Sequence, residues 1–257
     1  MCIRDRDYYE HRLKIAQQVK DKFGEGSEYC NLGNVYYSLN NFQKAIKCHE
    51  RSLEISKEIK DRSSEGRAYC NLGHNFGNLR EFKKAIEFLD LARKIATDVN
   101  DSIEEARACH NLGTVYCKLK QFKKALDYHE RCLKIAKQVE DRTGEGHSYC
   151  NLGTDYLGLR DLKKALEYLK CGLNILKEVE DKYGQERAYR GIGAVYNNLK
   201  DFKTAIYYLK SCIKISKEVG DRLAERFAYE DLGKAYAGLQ DFKNAIHYHD
   251  RLSLIHI

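Results

Sequence analysis

The triplet Asn-Leu-Gly returns at a spacing of forty residues. It stands at Asn31-Leu32-Gly33, Asn71-Leu72-Gly73, Asn111-Leu112-Gly113 and Asn151-Leu152-Gly153, with looser copies at Gly191-Ile192-Gly193 and Asp231-Leu232-Gly233. No insertion or deletion disturbs the register from Asp7 to about Leu252. A fixed period of roughly 20–50 residues is the signature of a solenoid. Such a chain grows by stacking, and each unit touches only its neighbours.

Each unit reads as two helices. Between Asp141 and Glu180, Tyr149, Leu152, Tyr156 and Leu159 recur at spacings of three and four, one apolar face of a first helix. Leu162, Ala165, Leu166, Leu169, Leu173 and Leu176 repeat the pattern on a second helix. An aspartate precedes every first helix, at Asp21, Asp61, Asp101, Asp141, Asp181 and Asp221, where it can accept from unpaired backbone N–H groups. Asn41, Glu81, Gln121, Asp161, Asp201 and Asp241 hold the matching place before the second helix. Proline is absent, as long helices require. One unit cannot hide both stripes, so the units must stack. Gly33, Gly73, Gly113, Gly153, Gly193 and Gly233 sit inside the first helices, where glycine costs about 1 kcal/mol against alanine. The second helices carry a small residue to match, at Ala45, Ala85, Ala125, Ala165, Ala205 and Ala245. Glycine facing alanine predicts a close approach of two backbones.

The array is expected to span 7–252: a partial helix at 7–20, then repeats at about 21–60, 61–100, 101–140, 141–180, 181–220 and 221–252. MCIRDR at 1–6 and SLIHI at 253–257 depart from the repeat and read as a non-native leader and tail flanking a fragment. Without capping helices the fragment's ends are expected to self-associate.

Several classes of function find no residues. Ten cysteines occur, none in a C-x-x-C pair, and no signal peptide precedes them. Cys30, Cys70 and Cys150 share one repeat position and Cys132 and Cys212 another, so they read as small apolar helix residues in a reducing compartment. No metal, cofactor or catalytic role is expected, for H-E-x-x-H, G-x-S-x-G and a phosphate-cradling loop are all missing. No apolar run approaches the roughly 18 residues of a membrane span, and a cytoplasmic location is expected. The net charge of +7 permits acidic partners without requiring nucleic acid. His49, His129 and His249 occupy a position that is Leu89, Leu169 and Leu209 elsewhere, so they read as half-buried core residues, and the tyrosines read as core. Lys83-Lys84, Lys123-Lys124 and Lys163-Lys164 lie on second helices with Glu87, Asp127 and Glu167 four residues beyond the leading lysines, a solvated face with no aromatic platform for RNA.

Leu112-Gly113, Tyr116, Phe122, Ala125, Tyr128 and Cys132 fall on the signature positions of the tetratricopeptide repeat, which the chain resembles throughout 7–252. The family's usual proline after the second helix is missing, and six extra residues lengthen the helices. This forty-residue variant is similar to the LGN/Pins G-protein-signalling modulators and to long multi-repeat proteins, some ending in a caspase-like CHAT domain. The resemblance implies an all-α, right-handed α-solenoid. Its first helices would line a concave groove binding an extended or helical peptide, in a scaffold or adaptor with a role in G-protein-linked signalling or cell polarity. The positions implied are Asn31, Asn34, Arg67, Asn71, His74, Arg107, Asn111, Thr114, His147, Asn151 and Arg187. Asparagines at regular steps can pair with a peptide backbone, and arginine forks suit carboxylates, so an acidic-polar peptide is expected. For that role Asn71, Asn111 and Asn151 are expected exposed. The same asparagine also suits a merely solvating role. In the last two units Gly191, Ala194, Glu230 and Asp231 break the pattern. The alternative is the recognition arm of a larger enzyme, a CHAT protease or a nucleotide-driven switch, whose catalytic domain lies outside this chain.

Overall fold

The computed structural model describes residues 2–254, with side chains described for 5–252. Met1 and residues 255–257, the outer ends of the expected leader and tail, lie outside the described residues. The described chain is all helix, and it falls into two compact units, Met1–Gln121 and Phe122–Ile257.

The first unit holds α1 (Cys2–Gln18), α2 (Lys22–Ser38), α3 (Phe42–Glu58), α4 (Arg62–Asn78), α5 (Phe82–Asp98) and α6 (Ser102–Lys118). The second holds α7 (Phe122–Gln138), α8 (Arg142–Gly158), α9 (Leu162–Glu178), α10 (Lys182–Asn198), α11 (Phe202–Val219), α12 (Arg222–Gly238) and α13 (Phe242–Leu254). The expected partial helix at 7–20 is longer, since α1 begins at Cys2. Each helix packs on the next in sequence within its unit. The pairs run antiparallel: Gly146, Cys150 and Gly153 on α8 meet Leu176, Gly172 and Leu169 on α9, one number rising as the other falls.

The turns follow one pattern, with departures at Glu81 and Gly220. Between α2 and α3, Asn41 N–H donates to Tyr36 carbonyl at 2.8 Å and Asn40 N–H to Tyr37 carbonyl at 2.8 Å, closing the end of α2 in a Schellman motif. Asn40 takes the left-handed conformation at φ 57°. Asn41 then caps α3 by accepting from Lys44 N–H at 3.2 Å. One residue thus ends one helix and starts the next. The left-handed residue recurs every twenty positions from Lys20 to Gln240, and only at Gly220 is it glycine. All six expected aspartate caps form; Asp141, for example, accepts from Gly144 N–H at 2.9 Å. Glu81 makes no side-chain cap bond, because its extra methylene sends the carboxylate to Lys84 Nζ at 2.6 Å instead.

The core follows the two stripes. In the second unit Ala165, Leu169, Leu173, Leu176, Ala188, Ile192 and Val195 form one cluster and Ala205, Leu209, Cys212, Ala228 and Leu232 another. Burying each leucine contributes about 1.5–3 kcal/mol. Leu159 departs from the expected stripe and is exposed, because the helix has ended there and it serves as C-cap. The close approach is real but its partner differs. A Cβ on Gly153 would stand 2.6 Å from Leu169 Cγ and 3.0 Å from the Ala165 carbonyl. The glycine therefore makes room for the leucine side chain, and alanine contributes its backbone.

Two histidines lie deeper than expected. His49 and His129 are fully buried, whereas His249 is exposed on α13, whose one described neighbour is α12. Tyrosines flank the core in tilted groups, as where Tyr168 lies between Tyr149 and Tyr156 at centroid distances of 5.9 and 5.2 Å, but Tyr8, Tyr183 and Tyr207 depart from the expectation and are exposed. The expected pairs of Lys83, Lys123 and Lys163 with acids four residues on do not form; those side chains are solvated separately. Lys84 and Lys164 instead sit over aromatic rings, Phe76 and Tyr156, each at 5.0 Å, so aromatics do interleave the lysines and the lysines cover their faces.

Candidate functional site

Within each unit the first helices touch one another and the second helices do not. In the first unit α4 meets both α2 and α6; in the second α10 meets both α8 and α12. The first helices therefore form the tighter inner face of each unit, and every expected groove residue lies on one of them.

The asparagines are not the exposed ladder expected. Asn71 and Asn111 are half-buried and Asn151 is buried. Asn71 Nδ2 donates to Cys30 Sγ at 3.4 Å and Asn111 Nδ2 to Cys70 Sγ at 3.4 Å, each reaching the preceding first helix. Burial raises the thiol pKa of both cysteines, so they stay protonated. On the other side the next helix's arginine closes over the asparagine oxygen. Arg107 donates to Asn71 Oδ1 at 3.1 Å, and Arg187 to Asn151 Oδ1 at 2.8 Å. Arg107 is held further by Glu104 Oε2 at 3.1 Å, and Arg67 lies 3.6 Å from the other Glu104 oxygen. These groups reach across the space between neighbouring first helices and pair with one another there. They pin the inner face together.

The remaining positions divide. Asn31 donates to Glu28 at 3.4 Å. His147 Nε2 stands 2.8 Å from the Asp181 carboxylate, which caps α10; burial and then Arg187 lower its pKa, against the pull of Asp181. Asn34, Arg67, His74 and Arg187 are exposed, and Thr114 is half-buried.

Sequence reasoning missed a polar group at the far end of the first unit's inner face. Tyr37 Oη lies 3.1 Å from His74 Nε2 and accepts from Asn78 Nδ2 at 3.0 Å. Lys118 Nζ donates to Asn78 Oδ1 at 3.3 Å and to the Gly77 carbonyl at 3.4 Å. Surrounding protein pushes the His74 pKa down to about 4, with the charges of Lys118 and Arg107 adding, so this imidazole is neutral near pH 7. The signal was available: the Lys118 position is Ser38, Asn78, Gly158, Asn198 and Gly238 in the other units.

Comparison with known proteins gives three matches to the tetratricopeptide repeat family model, at residues 25–98, 104–178 and 184–252. No curated protein sequence matches the chain. Among solved structures, BtubC from P. vanneervenii aligns at a TM-score of 0.73 and 19% identity, over 86% of this chain and 93% of that one. A Rap protein complexed with Competence and Sporulation Factor aligns at 0.69 and 15%, over 98% and 84%. A STAND ATPase with a tetratricopeptide repeat sensor from Pyrococcus horikoshii aligns at 0.70 and 21%; 94% of this chain covers 38% of that protein. No described helix is long and apolar enough to cross a membrane.

Proposed function

The chain belongs to the tetratricopeptide repeat family, and from that premise we propose that its inner face binds an extended segment of a partner protein. The fold is that of a protein-interaction scaffold. The observation that carries the finer reading is the pinning of the first helices by Asn71, Arg107, Asn151 and Arg187. It fixes their spacing in advance, so a partner need not supply the cost of ordering them. Beside the pins, Asn34 and His74 in the first unit and Thr154 in the second present polar side chains to solvent. The Rap structure shares the fold and holds a bound factor, which supports the reading. The segment we assign is acidic-polar, and the setting a cytoplasmic adaptor in signalling or cell polarity. The STAND ATPase favours a second reading, in which an array like this is the sensor of a larger enzyme.

A random peptide library displayed on phage and selected on the immobilised chain tests the proposal. Enriched sequences should carry Asp or Glu and should lose binding to the variant Asn34→Glu/His74→Glu/Thr154→Glu. They should keep it with Lys83→Glu/Lys163→Glu on the second helices. Loss with the second variant and not the first would overturn the inner-face assignment.

A further inference from the structure

We infer that Lys118, with Arg80 beside it, receives a carboxylate side chain of the bound segment, at a seat built by Tyr37, His74 and Asn78 across α2, α4 and α6. This deepens the inner-face reading and rests on it.

The inner face of the first unit has two ends of opposite character. At one, Glu104 lies between Arg67 and Arg107 and answers both charges. At the other, Lys118 has only neutral acceptors, Asn78 Oδ1 and the Gly77 carbonyl. Among the described residues no carboxylate pairs with Lys118 or Arg80. Burial and then the positive charge of Arg80 lower the Lys118 pKa, so its ammonium is held where an anion would relieve it. His74 is neutral and linked to Tyr37, so it orders the seat without adding charge.

Lys118 also touches the last turn of α4, where a cation is favourable. That service does not require lysine. At the same repeat position the helix ends of this chain are finished with serine, asparagine or glycine. Asn78 shows the seat's second purpose. It donates to Tyr37 and accepts from Lys118, fixing a long, flexible ammonium stem in one place. Fixing the donor beforehand is what makes a charge-assisted hydrogen bond strong at a partly exposed site. We assign a side-chain carboxylate because a segment crossing α2, α4 and α6 runs over the seat, whose Tyr37, Asn78 and Lys118 come from those three helices in turn.

The probe is hexaglutamate with an amidated C-terminus, measured by titration calorimetry against hexaglutamine with a free C-terminus. Hexaglutamate should bind more tightly. Lys118→Met should weaken it by about tenfold, Lys118→Arg should retain it, and Lys163→Met on α9 should leave it unchanged. Lys118→Gln is the second neutral variant should Lys118→Met lower the melting temperature. Hexaglutamine binding as tightly as hexaglutamate would overturn the proposal, as would wild-type affinity in both neutral variants. If Arg67→Ala weakens hexaglutamate and Lys118→Met does not, the inner-face reading stands and this seat falls. If only Lys163→Met weakens it, both fall.

Discussion

His129 Nδ1 and Asp155 Oδ2 stand 2.5 Å apart, with both side chains closed to solvent, one on α7 and the other on the next helix. Their repeat equivalents change together. His49 is matched by Asn75, whereas Leu89, Leu169 and Leu209 are matched by Val115, Val195 and Ala235. In the sequence, polar is matched by polar and apolar by apolar, unit by unit.

Replacing both partners of a buried hydrogen bond by well-packed apolar residues is often neutral or stabilising, whereas removing one leaves the other unpaired and costs about 1–3 kcal/mol. The combination used at Leu169 and Val195 is already accepted by this fold. We expect His129→Leu/Asp155→Val to unfold in urea at or above the wild-type midpoint, and Asp155→Val alone to lose about 1–3 kcal/mol. A double variant weaker than the single would show that the two sites are not equivalent.

Gly153 is the tightest test of the close approach. Alanine improves helix propensity by about 1 kcal/mol, yet its Cβ would press on Leu169 Cγ at 2.6 Å and on a backbone oxygen that cannot yield easily. Gly153→Ala should therefore destabilise, by about 1–3 kcal/mol. A rise in the thermal midpoint would mean that α8 and α9 shift apart freely.

Two buried groups give the protein opposite responses to pH. Burial, then the charge of Asp221, push the Glu186 pKa up to about 7, against Arg190 and Arg187. The folded protein holds that proton in a range where the unfolded chain has lost it, so stability falls as pH rises from the ordinary glutamate value of about 4.3 through about 7. His49 behaves in the other sense: burial, then the charge of Arg107, push it down to about 4. Stability falls as pH drops from about 6.5 towards about 4, because the unfolded chain takes up the proton first. Glu186→Gln should add on the order of 1–2 kcal/mol at pH 8 and little at pH 4 in urea titrations. An equal gain at both would place its cause in packing rather than charge.

Glu81 is the cap that does not cap. Asp161 and Asp201, at the same place, accept from Lys164 and Thr204 N–H groups at 3.1 and 3.2 Å. Glu81→Asp should form that bond with Lys84 N–H and raise stability by about 0.5–1 kcal/mol, less a few tenths for the lost pair with the Lys84 side chain. Calorimetric melting checks it; no change would mean that the ion pair is worth as much as the cap.

The helices were legible because their ends are written locally: an aspartate or asparagine bonds three residues on, and that distance is visible in any stretch of sequence. The inner face was not. Asn71 looks like a solvent ladder until Cys30 and Arg107 are known to flank it, about forty residues away in each direction. A residue that faces its own repeat equivalents can serve either a ligand or the neighbouring unit, and the letter is the same. The depth of His129 was within reach, since Asp155 interrupts a run of valine and alanine in step with it. Lys118 was also within reach, because it breaks its own column.

The shared turn residue restricts how such a gene can change. Asn41 closes α2 and caps α3 at once, so one inserted or deleted amino acid has no slack to occupy and spoils two helix ends together. Small frame-preserving indels are purged, while gain or loss of a whole forty-residue copy leaves every turn intact. Unequal recombination between neighbouring copies is then the one length mutation the fold tolerates freely, and its lineage should differ in copy number long before it differs in copy length.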